Sequence, residues 1–298
     1  MKDGKTVSKL NAWILASRPK TLTAACGPVI LGTALAYRET QTFSILIFVL
    51  TLLAALSMQV GTNFVNDYYD AIRGTDSDDR LGPTRVTQSG LIPPAEVKRG
   101  FIACFLFAIL ISIYLMIIGG PTIIIMGFFC ILTAYCYTGG PLPLSHYALG
   151  EVFALIFFGP VAVWGTYFLQ HQHFNLSILI IGLGPGLISA AIMSVNNLRD
   201  IKSDTRAKKI TVATLVGPKF ARAFTLSLVL SSTFIPYYAV LTLDTKWAIL
   251  ATLSCYPFYK TWKQVARGPI DKNLNTALGN TGKYLFIYSL IFSVGLLL

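Results

Sequence analysis

Residues 66–80, NDYYDAIRGTDSDDR, hold five aspartates and two arginines in fifteen positions. A second acidic stretch, NNLRDIKSD, covers 196–204. Seven of the thirteen acids in the chain lie in these two stretches: Asp67, Asp70, Asp76, Asp78 and Asp79 in the first, Asp200 and Asp204 in the second. On a helix, Asn63, Asn66 or Asp67, and Asp70 share one face, and Asn196, Asp200 and Asp204 share one face of another. Each face is then a stripe of oxygen donors about two turns long. Oxygen-only donors suit a hard cation. Magnesium takes one or two carboxylates, keeps several waters and bridges to substrate phosphates. The five cysteines (26, 104, 130, 136 and 255) show no CxxC or zinc-finger spacing and read as small packing residues.

The elements that must position these stripes are membrane helices. Of the 298 residues, 54% are hydrophobic and only 12% charged, about half the charge of a soluble domain. The mean hydropathy is +0.63. Nine apolar runs of bilayer-crossing length fall near 15–37, 43–65, 100–118, 121–138, 149–169, 177–197, 219–240, 246–262 and 281–298. Gly119-Gly120-Pro121 makes a tight hairpin between the third and fourth, and Pro257 and two lysines crowd the end of the eighth. The first run is too long, and too closely followed by the second, for a cleaved signal peptide.

With nine spans, 22 of the 24 lysines and arginines fall on the side of the N-terminus, and only Arg38 and Lys246 fall on the other. This asymmetry places the N-terminus and both acidic stretches on the cytoplasmic face of the cell membrane. The net charge of +11 then reads as a topogenic signal with an attraction to anionic lipid. No continuous basic surface supports nucleic-acid binding.

Each acidic stretch follows directly from an even-numbered span, at a helix C-terminal end where the macrodipole is already negative. Stacked carboxylates repel one another there, and a divalent cation compensates them. Asp78 and Asp79 read equally well as solvated loop acids. Arginines and lysines surround both stretches: Arg73, Arg80 and Arg85 by the first, Arg199, Lys202, Arg206, Lys208 and Lys209 by the second, with Arg18 and Lys20 at the start of span 1. Arginine pairs bidentately with phosphate. Metal, arginines and a lipid-lined cavity together point to a substrate with a diphosphate head and a hydrocarbon tail.

The Asn/Asp stretch after span 2 and the DxxxD after span 6 resemble the UbiA superfamily of intramembrane aromatic prenyltransferases. The resemblance runs from SRPKT (17–21) to the last span. NDYYDAIRGTDSDDRLGPTRVTQSG, YTGGPLPLSHYALGE (137–151) and NNLRDIKSDTRAKKIT resemble its 1,4-dihydroxy-2-naphthoate polyprenyltransferase branch. The resemblance implies an all-α membrane protein, one domain over 1–298, with nine transmembrane helices around a central cavity. It implies two Asp motifs facing each other under a cytoplasmic cap, holding Mg2+ and a polyprenyl diphosphate. It implies transfer of the prenyl group to 1,4-dihydroxy-2-naphthoate with loss of the carboxylate, giving demethylmenaquinone.

Carried over by position, Asn66, Asp67 and Asp70 match the first motif. Asp200 and Asp204 match the second, with Asn196 one turn before. Two departures stand out. Where many members carry a further aspartate this chain has Gly74, and its next carboxylate is Asp76. The lysine many members carry after span 4 is absent from YTGGPLPLSHY; Tyr137 is present, with Ser145 and His146 near the expected place.

The expected metal set is therefore Asp67, Asp70, Asp76, Asp200 and Asp204, with Asn66 and Asn196 as neutral oxygen ligands. Arg73, Arg80, Lys202 and Arg206 are diphosphate candidates. Arg18 is a partner for acceptor carboxylate or phosphate. Tyr137, with Tyr68, Tyr69 and Tyr135, offers an aromatic face to an allylic cation or serves as a membrane-interface anchor. Glu151 orients the acceptor or forms a structural hydrogen bond within the bundle. His146 is a proton acceptor or a solvated loop residue. Other aromatic acceptors (4-hydroxybenzoate, homogentisate, a tetrapyrrole) and a magnesium-dependent polyprenyl-phosphate carrier are the competing readings.

Overall fold

The structure is a computed structural model and describes residues 7–74, 81–141 and 143–298. Every regular element among them is helical, and the sole β contact is one bridge between Tyr147 and Ile210. Helix α1 (Lys9–Ser17) starts at Ser8, whose hydroxyl accepts from the Asn11 amide at 3.3 Å. Arg18, at φ +50, turns the chain into α2 (Pro19–Thr40), with proline at the first helical position, where a missing N–H costs nothing. Helix α3 (Ile45–Arg73) is capped by Ser44 and closed by Gly74 at φ +62.

Helix α4 (Pro94–Cys136) is two limbs. Gly120, at φ +59 and ψ −152, breaks it before Pro121. A methyl group built on Gly127 would stand 3.9 Å from Met116 Cε. Eleven residues of straight helix would separate those positions by ~16 Å, so the chain folds back on itself at the hairpin expected from Gly119-Gly120-Pro121.

After a short 3-10 turn (Leu144–His146) come α5 (Gly150–Ile156), a π turn (Phe157–Val161) and α6 (Ala162–His171). Then follow α7 (Leu176–Arg206) and α8 (Val212–Ser232), the latter started by a Thr211/Thr214 capping box. Next are α9 (Ile235–Leu243), α10 (Leu250–Leu253), α11 (Tyr259–Arg267) and α12 (Leu274–Leu297). The stretch read as an eighth span is a series of short α and 3-10 turns around Pro257, not one helix.

Five helical stretches are long and apolar enough to cross a membrane: Ile45–Arg73, Pro94–Cys136, Gly150–His171, Leu176–Arg206 and Val212–Leu243. Helices α2 and α12 have the length but are less apolar. Helix α7 is the centre of the bundle. Two-thirds of its apolar window is buried, against 11% for that of α3.

The main core packs α2, α6, α7, α8 and α12 through Leu31, Tyr167, Ile188, Val229, Tyr284 and Tyr288. Glycines let backbones meet there. A Cβ on Gly186 would lie 2.4 Å from the Leu155 carbonyl, and one on Gly32 would lie 2.4 Å from that of Val163. A smaller cluster joins α1, α3 and the first turns of α4 through Ala12, Phe64, Val86, Ile92 and Phe101. At the opposite end of α3, Ile47, Leu115, Ile123 and Leu169 pack around the α4 hairpin. The bundle thus has one end carrying the acidic stretches and another closed by apolar side chains.

Candidate active site

One cavity of about 600 Å3 runs along the bundle interior. Asn66 and Asp70 enter it from α3, and Asn196, Asp200 and Asp204 enter it from α7. The two acidic stripes therefore open onto the same space. Farther along, the wall is apolar: Met58, Leu115, Met116, Ile123, Met126 and Leu169. On α3 alone the lining reaches from Asp70 to Thr51, a rise of ~28 Å.

Each stripe carries a buried arginine. Arg85 Nη2 lies 2.5 Å from Asp70 Oδ2. Arg199, 1% exposed, donates Nε to Asp200 Oδ1 at 2.8 Å and Nη2 to Oδ2 at 2.5 Å. Arg199 also reaches Asn196 Oδ1 and Asn275 Oδ1, both at 2.8 Å. Asn275 in turn donates to the Leu81 carbonyl at 2.7 Å. The loop leaving 81 is tied down at its other end by Asp67, whose carboxylate accepts from the Val86 and Thr87 amides at 3.1 and 2.8 Å. Segment 81–87 is thus a strap fastened to both stripes, and charge-assisted bonds hold it.

The expected residues divide by place. Asp70, Asp200, Asp204, Asn66, Asn196, Arg18 and Tyr137 line the cavity. Asp67 is 2% exposed and is not among the lining residues; its carboxylate holds the strap. Arg73 also lies outside the lining. It donates to the Thr138 and Gly140 carbonyls and stacks its guanidinium 5.1 Å over Tyr69, so it fastens the turn after α4. Lys202 and Arg206 are exposed on the outer face of α7. Asp76 and Arg80 lie outside the described residues.

Tyr137 donates to Met193 Sδ at 3.2 Å. Glu151, 3% exposed, accepts from Asn197 Nδ2 at 2.9 Å. His146 sits on the 3-10 turn beside the cavity. Burial lowers its pKa, and the charges of Lys209 and Arg73 lower it further against the opposing pull of Asp70. Neutral imidazole is therefore its favoured form near pH 7.

Arg85, Arg199 and Lys209, expected only as members of the cation groups around the stretches, line the cavity, as do Asn197 and Asn275, for which sequence indicated no role. Arg199 and Asn197 were inside the quoted NNLRD string. Asn275 carried no signal, because its partners are 76 and 194 residues away.

The donor set fits a hard divalent cation. It is oxygen-only, and Asn66 Oδ1 is buried with no hydrogen-bond partner among the described residues. No three carboxylate, histidine or cysteine groups converge among the described residues. Magnesium held by one or two carboxylates, waters and substrate oxygens requires no such cluster.

The model of the UbiA prenyltransferase family matches residues 25–290. The chain belongs to that family. A curated relative, 1,4-dihydroxy-2-naphthoate octaprenyltransferase of Mycobacterium tuberculosis, is 33% identical over 93% of this chain and 94% of its own. The protein of the same name from Escherichia coli is 31% identical over 98% and 97%. The solved structure of a UbiA homolog from Archaeoglobus fulgidus bound to DMAPP and Mg2+ superposes with a TM-score of 0.64 at 16% identity, covering 95% of this chain and 99% of that one. At that identity the likeness establishes the fold. The all-helical UbiA fold and the five apolar helices make this an integral membrane protein.

Proposed function

We propose that this protein transfers a polyprenyl group from its diphosphate to 1,4-dihydroxy-2-naphthoate, with loss of the carboxylate, in menaquinone biosynthesis. One observation carries the reading: two acidic stripes share a cavity whose far end is apolar, in a chain at 31–33% identity to naphthoate octaprenyltransferases. The enzyme crosses the cell membrane nine times, with its N-terminus and the acidic end on the cytoplasmic side. The 22-to-2 distribution of lysine and arginine supports that orientation.

Asp70, Asp200 and Asp204, with Asn66 and Asn196, would hold Mg2+ at the diphosphate, and Asp67 keeps the strap that carries Arg85 in place. Bound there, the cation neutralises charge developing on the leaving diphosphate. Arg18, Arg85, Arg199 and Lys209 line the same cavity, the last three beside Asp70, Asp200 and Asp204, and lend positive charge to the diphosphate end. The allylic C–O bond breaks with its electrons going to diphosphate. The new C–C bond forms at the ring carbon that bears the carboxylate. The ring–carboxylate bond then breaks, CO2 departs, and its electron pair restores the aromatic ring. The product is demethylmenaquinol, which dissolved oxygen oxidises to demethylmenaquinone off the enzyme. The apolar walls receive the prenyl tail and keep water from the cation.

The test is product formation by detergent-purified protein given a polyprenyl diphosphate, Mg2+ and a panel of aromatic acids, read by mass spectrometry. A decarboxylated prenyl-naphthoquinone, absent with EDTA and with Asp70→Ala/Asp200→Ala, is expected. Product from a different acceptor, or from none, overturns the assignment.

A further inference from the structure

Three buried polar atoms in the turn after α4 and at the start of α5 have no hydrogen-bond partner among the described residues. They are Thr138 Oγ1, Ser145 Oγ and Glu151 Oε2. Their residues are 4%, 5% and 3% exposed. Thr138 and Ser145 line the cavity, and Glu151 stands behind Asn197, which also lines it. An unmet buried hydroxyl or carboxylate oxygen is costly. Two of them belong to residues that line the cavity and the third backs the lining residue Asn197, which marks a site built for a polar ligand.

The backbone around them is held firmly. The Ser145 amide donates to the Tyr137 carbonyl at 2.8 Å, and Arg73 fastens the Thr138 and Gly140 carbonyls. The Ala148 amide donates to the Ile210 carbonyl at 2.8 Å, which brings Lys209, another lining residue, to this side. The Asn197 amide nitrogen donates to Glu151 Oε1, so its carbonyl oxygen is free to accept.

The chemistry of the set selects its ligand. Thr138 and Ser145 are hydroxyl donors with a lysine nearby, which suits a carboxylate. Asn197 Oδ1, oriented by Glu151, suits a hydroxyl donor. A diphosphate offers Asn197 no hydroxyl proton. A hydroxylated aromatic acid offers both groups on one rigid ring. We propose that Thr138, Ser145 and Asn197, with Glu151 as the positioning residue, form the acceptor subsite. Thr138 and Ser145 bind the ring carboxylate, and Asn197 binds a ring hydroxyl. This rests on the reading of the cavity as a prenyltransferase site.

The test is steady-state kinetics on Thr138→Val, Ser145→Ala and Glu151→Gln, varying each substrate in turn. A hydroxyl bonded to a carboxylate is worth about tenfold or more in affinity. The acceptor KM should rise about tenfold in Thr138→Val and Ser145→Ala, while the polyprenyl diphosphate KM stays put and Thr138→Ser restores the native value. Competition by 1,4-dihydroxynaphthalene, which lacks the carboxylate, gives a second readout. The native preference for the carboxylated ring should shrink in the two hydroxyl variants and persist in Glu151→Gln. Unchanged acceptor KM and unchanged preference would mean the hydroxyls bind water alone and would overturn the subsite. An equal rise in both KM values would also overturn it, as a general loss of structure. If the native protein uses a different aromatic acid, the naphthoate assignment falls, and the same comparison on that acid decides the subsite. If it uses none, both fall.

Discussion

The guanidinium of Arg199 clasps the carboxylate of its own neighbour Asp200 through two bonds, at 2.8 and 2.5 Å, inside the central helix of the bundle. Consecutive residues on a helix point about 100° apart, so this pairing requires the arginine to fold back along α7. Asn196 and Asn275 hold it there. The counterpart in the other stripe is Arg85 on Asp70.

Removing Arg199 leaves a buried carboxylate without its cation. Arg199→Met should destabilise the protein by about 3 kcal/mol, the cost of breaking a buried pair from one side. Arg199→Lys should cost less, because it keeps the charge. Thermal unfolding in detergent checks the order, and equal stability of the two variants would contradict it.

Asn275 joins Arg199 to the Leu81 carbonyl and so couples the second stripe to the strap. Asn275→Leu should free residues 81–87. Amide exchange should speed up there, and the KM for polyprenyl diphosphate should rise while helices α7 and α12 keep their protection. No change in exchange would show that Asp67 alone holds the strap.

Metal dependence should track the cavity carboxylates. EDTA should abolish product formation and added Mg2+ should restore it. Asp70→Asn should raise the Mg2+ concentration needed for half-maximal rate, because it removes charge and keeps shape. A Mg2+ requirement identical to that of the native protein would remove Asp70 from the metal set.

Two glycines should respond oppositely to the same substitution. At Gly186 a methyl would lie 2.4 Å from the Leu155 carbonyl, a backbone atom that cannot yield. Gly186→Ala should lower the yield of folded protein sharply. At Gly165 the methyl would meet Met126 Cε at 2.4 Å, the end of a flexible side chain that lines the cavity. Gly165→Ala should fold, push Met126 inward, and shift preference toward shorter prenyl diphosphates. A chain-length series on that variant reads the outcome.

His146 gives a pH prediction with a definite sign. Its folded pKa lies below 6.5 because burial and nearby cations disfavour the imidazolium. The unfolded chain therefore takes up a proton first as pH falls. Stability should drop between the unfolded pKa near 6.5 and the lower folded pKa, then level off with respect to this group. His146→Gln should flatten that part of a plot of unfolding midpoint against pH.

Much of the site could be read from residue order, because helical period and membrane chemistry act locally. Asn/Asp spacing of three and four puts Asn66 with Asp70, and Asn196 with Asp200 and Asp204, on single faces whatever the surroundings. The α4 hairpin followed from Gly119-Gly120-Pro121 for the same local reason. The roles of individual charged groups did not follow. Arg73 sits one turn from Asp70, as a diphosphate ligand would, yet it is engaged by carbonyls of the turn after α4, 65 and 67 residues along the chain. Lys202 and Arg206 share the helix of the second stripe but project from its outer face. Arg85 looked like one of several loop cations and instead neutralises Asp70.

Sequence alone determined an all-helical membrane protein with two acidic stripes at helix ends, because hydropathy, composition and helical repeat are properties of neighbouring residues. Tertiary structure decided which donors face the cavity and which fasten its walls. That choice depends on where α1, α12 and the strap from 81 to 87 are brought against α3 and α7. Packing across hundreds of residues sets those contacts, and no local spacing encodes them.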